Sequence, residues 1–254
     1  MDTRDEDRRT AWTGAEVAAG YDRGRPGYPA EAVEFALAPL RGRPDLRAAD
    51  VGAGTGKLTA VLCAAGVPTV AVEPAPGMRK VLKHLVSRAQ VLAGSAEELP
   101  LPDASVDLVA VGQAFHWFEE DRALPELARV LRPGGRLALF YNSRDDAVPW
   151  VRALADLVGD HADHASAHRA EAPGPMGPFE PEDLRWFTYQ QELDASGLVE
   201  LVGSRSYVIR LPEPERAALL ARLAELARTH PALVGRQHFY LPYRSSVQRY
   251  RLRS

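Results

Sequence analysis

Three glycines lie where a short apolar segment of the chain meets a helical pattern. Gly52, Gly54 and Gly56 follow Asp50, and helical periodicity begins just after Lys57. Glycines let a backbone turn tightly and approach a ligand closely, and the first turn of the next helix offers unpaired N–H groups. The pattern predicts a loop that binds a nucleotide-like cofactor. A tight strand-to-helix turn without any ligand is the structural alternative.

The spacing of the glycines bears on which cofactor this loop binds. The dinucleotide fingerprint G-x-G-x-x-G, started at Gly52, requires its third glycine at position 57, which is Lys57. The chain has G-x-G-x-G instead. The glycines alone leave several nucleoside cofactors open, and the spacing disfavours a dinucleotide.

The elements that must position this loop alternate between strands and helices. Apolar segments typical of strands occupy residues 48–50, 69–72, 90–93, 106–111 and 137–141. Helical patterns cover residues 30–40, 58–65, 78–86 and 121–131. Strands this apolar suit a parallel sheet covered by helices on both faces, and right-handed crossovers make the sheet doubly wound. The ligand is then expected at the carboxyl ends of the strands.

The regular alternation ends after Asn142. The later patterns predict a helix over 145–158, a strand over 187–192, a helix over 212–229 and a final strand pair at 239–241 and 247–252. The region 145–211 contains apolar side chains that either line an acceptor pocket or belong to the core. They are Trp150, Met176, Phe179, Trp186, Phe187 and Tyr189.

Composition excludes several classes of protein. The chain has 254 residues, 46% of them hydrophobic, and a formal net charge of −3 with basic residues spread along its length, which argues against a nucleic-acid partner. A single cysteine, Cys63, permits neither an intramolecular disulfide nor a cysteine-based zinc site. The charged N-terminus and the lack of a long apolar run predict a cytoplasmic protein without a membrane partner.

Four further motifs follow the glycine loop in order. Glu73 ends the second predicted strand, and segments 94–107, 112–118 and 130–137 come after it. Together with Asp50 and the glycines, they resemble the motifs of class I S-adenosylmethionine-dependent methyltransferases. Residues 21–29, Tyr-Asp-x-x-Arg-Pro-x-Tyr-Pro, are similar to a segment of bacterial small-molecule methyltransferases of the UbiE and trans-aconitate methyltransferase kind.

The resemblance implies a fold and a division of the chain. The expected fold is α/β, with a doubly wound, Rossmann-like, seven-stranded sheet that is mostly parallel with one antiparallel strand. An N-terminal lid precedes this sheet, and a helical region is inserted after strand five. A single domain spans 1–254, with a tail and lid at 1–30, a cofactor-binding core at 44–142, and a substrate-lining insertion with the C-terminal strands at 143–254.

The resemblance also implies a cofactor site for S-adenosyl-L-methionine, whose product is S-adenosyl-L-homocysteine. Asp50 would serve the ammonium end and Glu73 the two ribose hydroxyls, although Glu73 is also explicable as an ordinary charge that ends a strand. Ala96 and Glu97 would flank the adenine, whereas Ser95 stands where many relatives have Asp. The implied cofactor residues are Tyr21, Arg25, Asp50, Gly52, Ala53, Gly54, Thr55, Gly56, Glu73, Pro74, Met78, Ser95, Ala96, Glu97, Gln113, Ala114, His116 and Trp117.

Methyl transfer from an activated sulfonium depends largely on positioning the acceptor, and a base helps only some acceptors. His116 is the candidate base because it follows strand four at the ligand edge; alternatively it only shapes the pocket beside Trp117. Tyr21 is a second catalytic candidate. The candidate substrate residues are Tyr28, His116, Trp117, Tyr141 and Asn142.

The segment that carries Tyr21, Arg25 and Tyr28 has two interpretations. It either folds over the cofactor as a lid that excludes water, with Arg25 paired to a carboxylate, or forms a surface loop rich in Gly and Pro.

His161, His164 and His168 have the i, i+3, i+7 spacing of one helix face, which could hold a metal ion. The family mostly needs no metal, and an Ala/His/Asp-rich insertion is more often a solvated helix. We therefore predict no metal site.

The leading functional hypothesis is methyl transfer to O, C or N of a small-molecule acceptor, such as a secondary metabolite, by a monomer or homodimer. The alternative keeps the fold and the bound cofactor but performs cyclisation or binding without methyl transfer. A nicotinamide oxidoreductase is a third hypothesis, disfavoured by Lys57.

Overall fold

The computed structural model describes residues 25–159 and 174–253, with backbone alone for Ser206 and Tyr207. The first half alternates strands and helices: α1 (Ala30–Leu37), β1 (Ala48–Val51), α2 (Lys57–Ala64), β2 (Thr69–Val72), α3 (Pro76–Leu85), β3 (Gln90–Leu92), β4 (Val106–Gly112), α4 (Glu120–Val130) and β5 (Leu131–Arg144). The second half comprises α5 (Pro149–Val158), β6 (Phe179–Leu193), α6 (Ala195–Gly203), α7 (Ser206–Ile209), α8 (Glu213–Thr229) and β7 (Phe239–Leu252). Short 3-10 turns follow α1 and β4, at Ala38–Leu40 and Phe115–Trp117.

The described strands form one seven-stranded sheet in the order β3-β2-β1-β4-β5-β7-β6. Strands β1 to β5 pair in parallel, whereas β7 runs antiparallel to both of its neighbours, β5 and β6. The predicted α/β fold, with a mostly parallel sheet and one antiparallel strand, is therefore confirmed. The predicted lid lies partly, and the three histidines at 161–168 entirely, outside the described residues.

Helices cover both faces of the central strands because these strands are apolar on both sides. All four residues of β1 are buried, as are the first six of β4. Alternate residues of one strand point to opposite faces, so β4 places Val109 and Val111 in the α4 cluster but Leu108 and Ala110 in the α1 and α2 cluster. A third cluster joins α5, α6 and α8 to the outer strands, and it takes in Trp150, one of the proposed pocket residues.

The predicted final strand pair is wrong, because residues 239–252 form the single strand β7. The intervening Leu-Pro-Tyr-Arg-Ser-Ser sequence is too polar to suggest a strand. However, β7 lies between two strands that satisfy its backbone, and the side chains of Ser245 and Ser246 are buried there. Pro242 is tolerated because it pairs with β6 alone, beyond the last pair with β5.

Three other boundaries differ from expectation. The helix predicted from residue 145 begins at Pro149, a favourable first helical position, after a turn in which the Val148 N–H donates to the Asp145 carbonyl. The strand predicted over 187–192 is the longer β6. The Pro-Gly-Gly turn before the fifth strand is included in β5, where the pairing with β4 shifts register and Gly134 has a φ of +72°.

Within the described part of the chain, no helix combines the length and the hydropathy that crossing a bilayer requires.

A buried carboxylate joins β4 to its surroundings. Asp107 accepts hydrogen bonds from Arg43 Nη1 at 2.9 Å, Arg132 Nη1 at 2.9 Å and the Arg47 backbone N–H at 3.0 Å. Its side chain is 2% exposed, whereas both arginines are 30% exposed. Asp107 therefore ties the start of β5 and the segment before β1 to the centre of the sheet.

We expect Asp107→Ala to lower the free energy of unfolding by about 1 to 3 kcal/mol, because a backbone donor and two guanidinium groups lose their acceptor. Denaturant unfolding measures the loss. Asp103→Ala is the matched control: it also removes an arginine partner, but at a side chain that is 80% exposed, and should cost less than about 0.5 kcal/mol. Equal losses in the two variants would contradict this role for Asp107.

Candidate active site

The loop after β1 has the backbone geometry that its glycines predict. Gly52 and Gly54 have φ values of +71° and +57°, in the left-handed region that other residues avoid. A Cβ on Gly52 would lie 2.7 Å from the Ala114 Cβ, so only glycine lets this loop pass under the segment after β4. Within the described residues, nothing lies within 4 Å of the Cβ position of Gly54, so none of their side chains packs against this part of the loop.

Glu73 directly follows β2 beside this loop, and backbone donors hold its carboxylate. The Gly54 N–H donates to Oε2 at 2.9 Å and the Ala75 N–H donates to Oε1 at 2.8 Å. The side chain is buried, with 7% exposed. Each carboxylate oxygen can accept about two hydrogen bonds, so the two backbone donors orient Glu73 without using its full acceptor capacity.

Asp50 lies in β1 below the loop and is almost fully buried. Thr59 Oγ1 donates to Asp50 Oδ2 at 2.6 Å, while Oδ1 is buried without a hydrogen-bond partner among the described residues. Burial raises the pKa of Asp50 from 3.8 to about 7; Thr59 opposes this shift, and the charge of Glu73 adds to it. A buried carboxyl oxygen with an unused acceptor beside an open loop suits a donor group of a ligand.

The loop after β3 holds the residues expected to contact adenine. Ala96 is buried and Ser95 is half-buried, and Glu97 Oε1 accepts from the Glu119 N–H at 3.0 Å, next to the start of α4. Met78 is buried beside Ala75 at the start of α3.

An ion pair on α4 anchors this loop, and sequence reasoning missed it. Glu126 Oε2 accepts from the Leu99 N–H at 2.9 Å, while Arg129 donates to the carbonyls of Leu99 at 3.2 Å and Leu101 at 2.9 Å. Hydrogen bonds from Arg129 lower the pKa of Glu126. The i, i+3 Glu–Arg spacing on a predicted helix was the available signal, but such pairs are common on solvated faces.

The segment after β4 connects the glycine loop to β5. Gln113 has a φ of +55°, unusual for a residue other than glycine, and its Nε2 donates to the Asn142 carbonyl at 2.7 Å. Such strain is found at functional sites, where surrounding contacts maintain it. The rings of His116 and Trp117 are 4.9 Å apart between centroids, and Trp117 is 41% exposed.

The described part of the predicted lid crosses the ends of β5 and β6. Asn142 Nδ2 donates to the Gly27 carbonyl at 2.9 Å, and the Gly27 N–H donates to the Tyr189 hydroxyl at 3.3 Å. The Tyr28 ring packs edge-on against Phe140 with centroids 5.8 Å apart. Residues 25–28 are therefore held against the sheet at the edge where the glycine loop lies.

The remaining predicted residues differ in their exposure. Thr55 and Tyr141 are buried, Ala53, Gln113 and Ala114 are half-buried, and Pro74 is exposed. Tyr21 lies outside the described residues. Of the proposed pocket residues, Phe179 is fully buried in the α4 cluster, and Trp186 has Arg244 stacked 4.7 Å from its ring centroid. The assignment of individual residues to cofactor or acceptor stays a prediction.

Two other features of the described residues bear on ligand binding. A groove of about 640 Å³ lies between α1 and the β6–β7 pair, but no residue of the glycine loop or of the segment after β4 lines it. In residues 25–159 and 174–253, no three His, Cys, Asp or Glu side chains converge as a metal site would require. The three histidines at 161–168 fall outside that range.

Fold and site together define a class of protein: a Rossmann-like α/β protein with a nucleoside-cofactor site at the carboxyl ends of its parallel strands. Residues 49–139 match the family model described as a methyltransferase domain. An uncharacterized methyltransferase of Mycobacterium tuberculosis is 45% identical over 230 residues, covering 91% of each chain. The protein belongs to the class I S-adenosylmethionine-dependent methyltransferase family.

Two further similarities agree with this assignment. The chain is 44% identical over 139 residues to a malonyl-[acyl-carrier protein] O-methyltransferase of Methylococcus capsulatus, covering 50% of each chain. A solved structure from Anaeromyxobacter dehalogenans, assigned as a type II methyltransferase, superposes with a TM-score of 0.67 at 26% identity, covering 90% of this chain and 97% of that one.

We expect Glu73→Ala to weaken the binding of S-adenosylhomocysteine by about 10- to 200-fold, equivalent to about 1.5 to 3 kcal/mol, because a charged acceptor for hydroxyl groups is lost. Isothermal titration calorimetry measures the affinity. Glu73→Gln retains the side-chain shape and one acceptor oxygen, so its loss should be smaller. Glu98→Ala, at an exposed acid of the β3–β4 loop, is the control. Unchanged affinity in a folded Glu73→Ala protein would refute the role.

The raised pKa of Asp50 predicts how stability depends on pH. Between about pH 4 and pH 7 the folded protein keeps a proton that the unfolded chain releases, so stability falls as pH rises across this window.

Asn cannot ionise, so the Asp50→Asn variant lacks this pH dependence. Its stability relative to the unmodified protein should therefore rise as the pH increases from 5 to 8. The relative gain in Tm should be at least about 3 °C, measured by thermal melts. Asp156→Asn, at an exposed position of α5, is the control. A constant difference in Tm across this range would show that Asp50 is ionised throughout.

Proposed function

We propose that the protein transfers the methyl group of S-adenosylmethionine to an oxygen, carbon or nitrogen atom of a small-molecule acceptor. The observation that carries this proposal is the convergence of the glycine loop, Glu73 and Asp50 at one edge of the sheet. Gly54 connects the loop to Glu73 directly, because its N–H donates to the Glu73 carboxylate, and no described residue lies within 4 Å of its Cβ position.

The residues present fit this cofactor. The buried Asp50 Oδ1 still has an acceptor site for an ammonium group, and a nearby cation would favour the ionised form of this carboxyl. Glu73, oriented by two backbone N–H groups, suits the ribose hydroxyls. The loop at Ser95, Ala96 and Glu97, which Glu126 and Arg129 anchor through Leu99, suits the adenine. S-adenosylmethionine, when bound, supplies a methyl group already activated by a sulfonium.

The residues on the acceptor side chiefly orient the acceptor and exclude water. Tyr28 and Asn142 hold residues 25–28 against the sheet edge, which limits access of solvent from that side. His116 lies half-buried beside Trp117 in the segment after β4. For an acceptor hydroxyl or an acidic carbon, the neutral imidazole of His116 would take the proton that the reacting atom loses.

The relative from Methylococcus is an O-methyltransferase, which favours oxygen among the three acceptor atoms. That similarity covers half of each chain, so it bears on the reacting atom and leaves the acceptor molecule open.

The proposal predicts both a ligand preference and a product. Calorimetry should detect binding of S-adenosylmethionine and of S-adenosylhomocysteine. It should detect no binding of NAD, because the loop lacks the third glycine of the dinucleotide fingerprint. Formation of S-adenosylhomocysteine should then depend on an acceptor drawn from a broad panel of hydroxyl, carboxyl and amine compounds. Tight binding of NAD alone would overturn the assignment of the cofactor. Cofactor binding without transfer to any acceptor would instead favour the repurposed form, which cyclises or only binds.

A further inference from the structure

The turn between β2 and α3 has few backbone donors, because its sequence over residues 73–76 is Glu-Pro-Ala-Pro. Proline has no backbone N–H, so Ala75 supplies the only backbone donor among residues 74–76. That N–H donates to Glu73 Oε1 at 2.8 Å. The orientation of the Glu73 carboxylate therefore depends on how the turn holds the peptide group of Ala75.

The carbonyl groups of the same turn accept hydrogen bonds from one residue of α3, Arg79. Its Nη1 donates to the Glu73 carbonyl at 2.8 Å and to the Pro74 carbonyl at 2.6 Å. A guanidinium Nη atom carries two N–H groups, so it can serve both carbonyls at once. The Arg79 backbone N–H donates to the Ala75 carbonyl at 3.1 Å. Arg79 thus holds the carbonyl of each residue from Glu73 to Ala75.

The other described contacts hold this turn from the side of the sheet. The Glu73 N–H donates to the Leu92 carbonyl of β3 at 3.2 Å, and Ala75 is buried against Met78. On the outer side, Pro74 is exposed. The half-buried Arg79 side chain therefore supplies the polar contacts that join the turn to α3. Hydrogen bonds from a charged donor are stronger than those between neutral groups, which suits a turn with little packing outside it.

These contacts connect Arg79 to the cofactor side of the site through the backbone. Arg79 donates to the backbone of Glu73, while the Glu73 carboxylate accepts from the Gly54 and Ala75 N–H groups. If the peptide groups at 73–75 rotated, the Ala75 N–H would leave Oε1, and the carboxylate would lose one of these two donors. The aim of the carboxylate would then be less well defined.

We propose that Arg79 is a positioning residue of the cofactor site. It keeps the Ala75 N–H directed at Glu73, and so keeps the Glu73 carboxylate in the orientation that binds ligand hydroxyls. The inference rests on the proposed function for the identity of the ligand, whereas the effect of Arg79 on the turn is testable without any ligand.

Amide hydrogen exchange of the free protein tests the effect on the turn. Arg79→Met keeps a long apolar stem and a similar helix propensity but has no side-chain donor. We expect the Ala75 amide proton, followed by NMR, to exchange about 10-fold faster in this variant, because the turn opens more often. Arg79→Lys restores a charged donor and should reverse part of this change. Thermal melts verify folding.

Calorimetry with S-adenosylhomocysteine tests the effect on the site. Arg79→Met should weaken binding by about 3- to 10-fold. In a Glu73→Ala background the same substitution should change affinity by less than about 2-fold, because no carboxylate remains to be oriented. With simpler probes, the loss should occur for adenosine and not for 2′,3′-dideoxyadenosine, which lacks both ribose hydroxyls.

Lys80→Met is the matched control, since it also removes a positive charge from α3 but at an exposed position, and it should leave affinity unchanged. The inference is overturned if Arg79→Met leaves Ala75 exchange unchanged, or if it weakens S-adenosylhomocysteine binding equally with and without the Glu73 carboxylate. If the unmodified protein binds no S-adenosylhomocysteine while Arg79→Met still speeds Ala75 exchange, the proposed function fails and the role of Arg79 in orienting Glu73 stands.

Discussion

The site depends on the hydrogen bond between the Gly54 N–H and the Glu73 carboxylate. This bond, 2.9 Å long, joins the loop after β1 to the end of β2, and the Ala75 N–H holds the second oxygen at 2.8 Å. This hydrogen bond requires the left-handed backbone conformation of Gly54. It also requires the loop to pass under Ala114, and only a glycine at position 52 leaves room for that. With Glu73 so placed, its negative charge acts on Asp50 and contributes to the raised pKa of that carboxyl. The Gly54–Glu73 pair thus links the geometry of the loop to the pKa of Asp50 and to the orientation of the Glu73 carboxylate.

Asp50 and Glu73 place two acidic side chains on the β1–β2 side of the site, which suits a cofactor that carries sulfonium and ammonium groups. The charge of Glu73 adds to the rise that burial causes in the pKa of Asp50, so bringing the two acids together in a buried place is unfavourable without a ligand of opposite charge. Binding sites commonly accept such a cost, because the ligand then gains from groups that are already oriented.

Much of the fold was predictable because its signals are local. The segments that form β1, β2 and the centres of β4 and β5 are mostly apolar, and their alternation with helical patterns indicates a parallel, doubly wound sheet. The sequence also indicated the glycine spacing, Asp50 and Glu73. These signals are local too, because each lies at the end of a predicted strand. By contrast, β7 was split in two because Pro242 and the serines at 245 and 246 do not indicate a strand locally, and the pairing of this segment with β6 and β5 is a long-range feature. In the sequence, the Glu126–Arg129 pair has the same spacing as a solvent-exposed ion pair. Its hydrogen bonds to the backbone of Leu99 and Leu101 depend on the tertiary structure.

The amino-acid sequence by itself determined the order of the strands and helices in the cofactor half, the glycine loop and the acids beside it, because backbone conformation and hydrophobic periodicity act over a few residues. Only the tertiary structure decided which side chains meet at the carboxyl ends of β5 and β6. Gly27 and Tyr189 are separated by 162 positions in the sequence. Antiparallel pairing of β7 with both β5 and β6 places these strands in one sheet, and the hydrogen bonds of Gly27 with Asn142 and Tyr189 hold the segment before α1 across their ends. Such long-range register is set by packing of the whole sheet, and no local pattern records it.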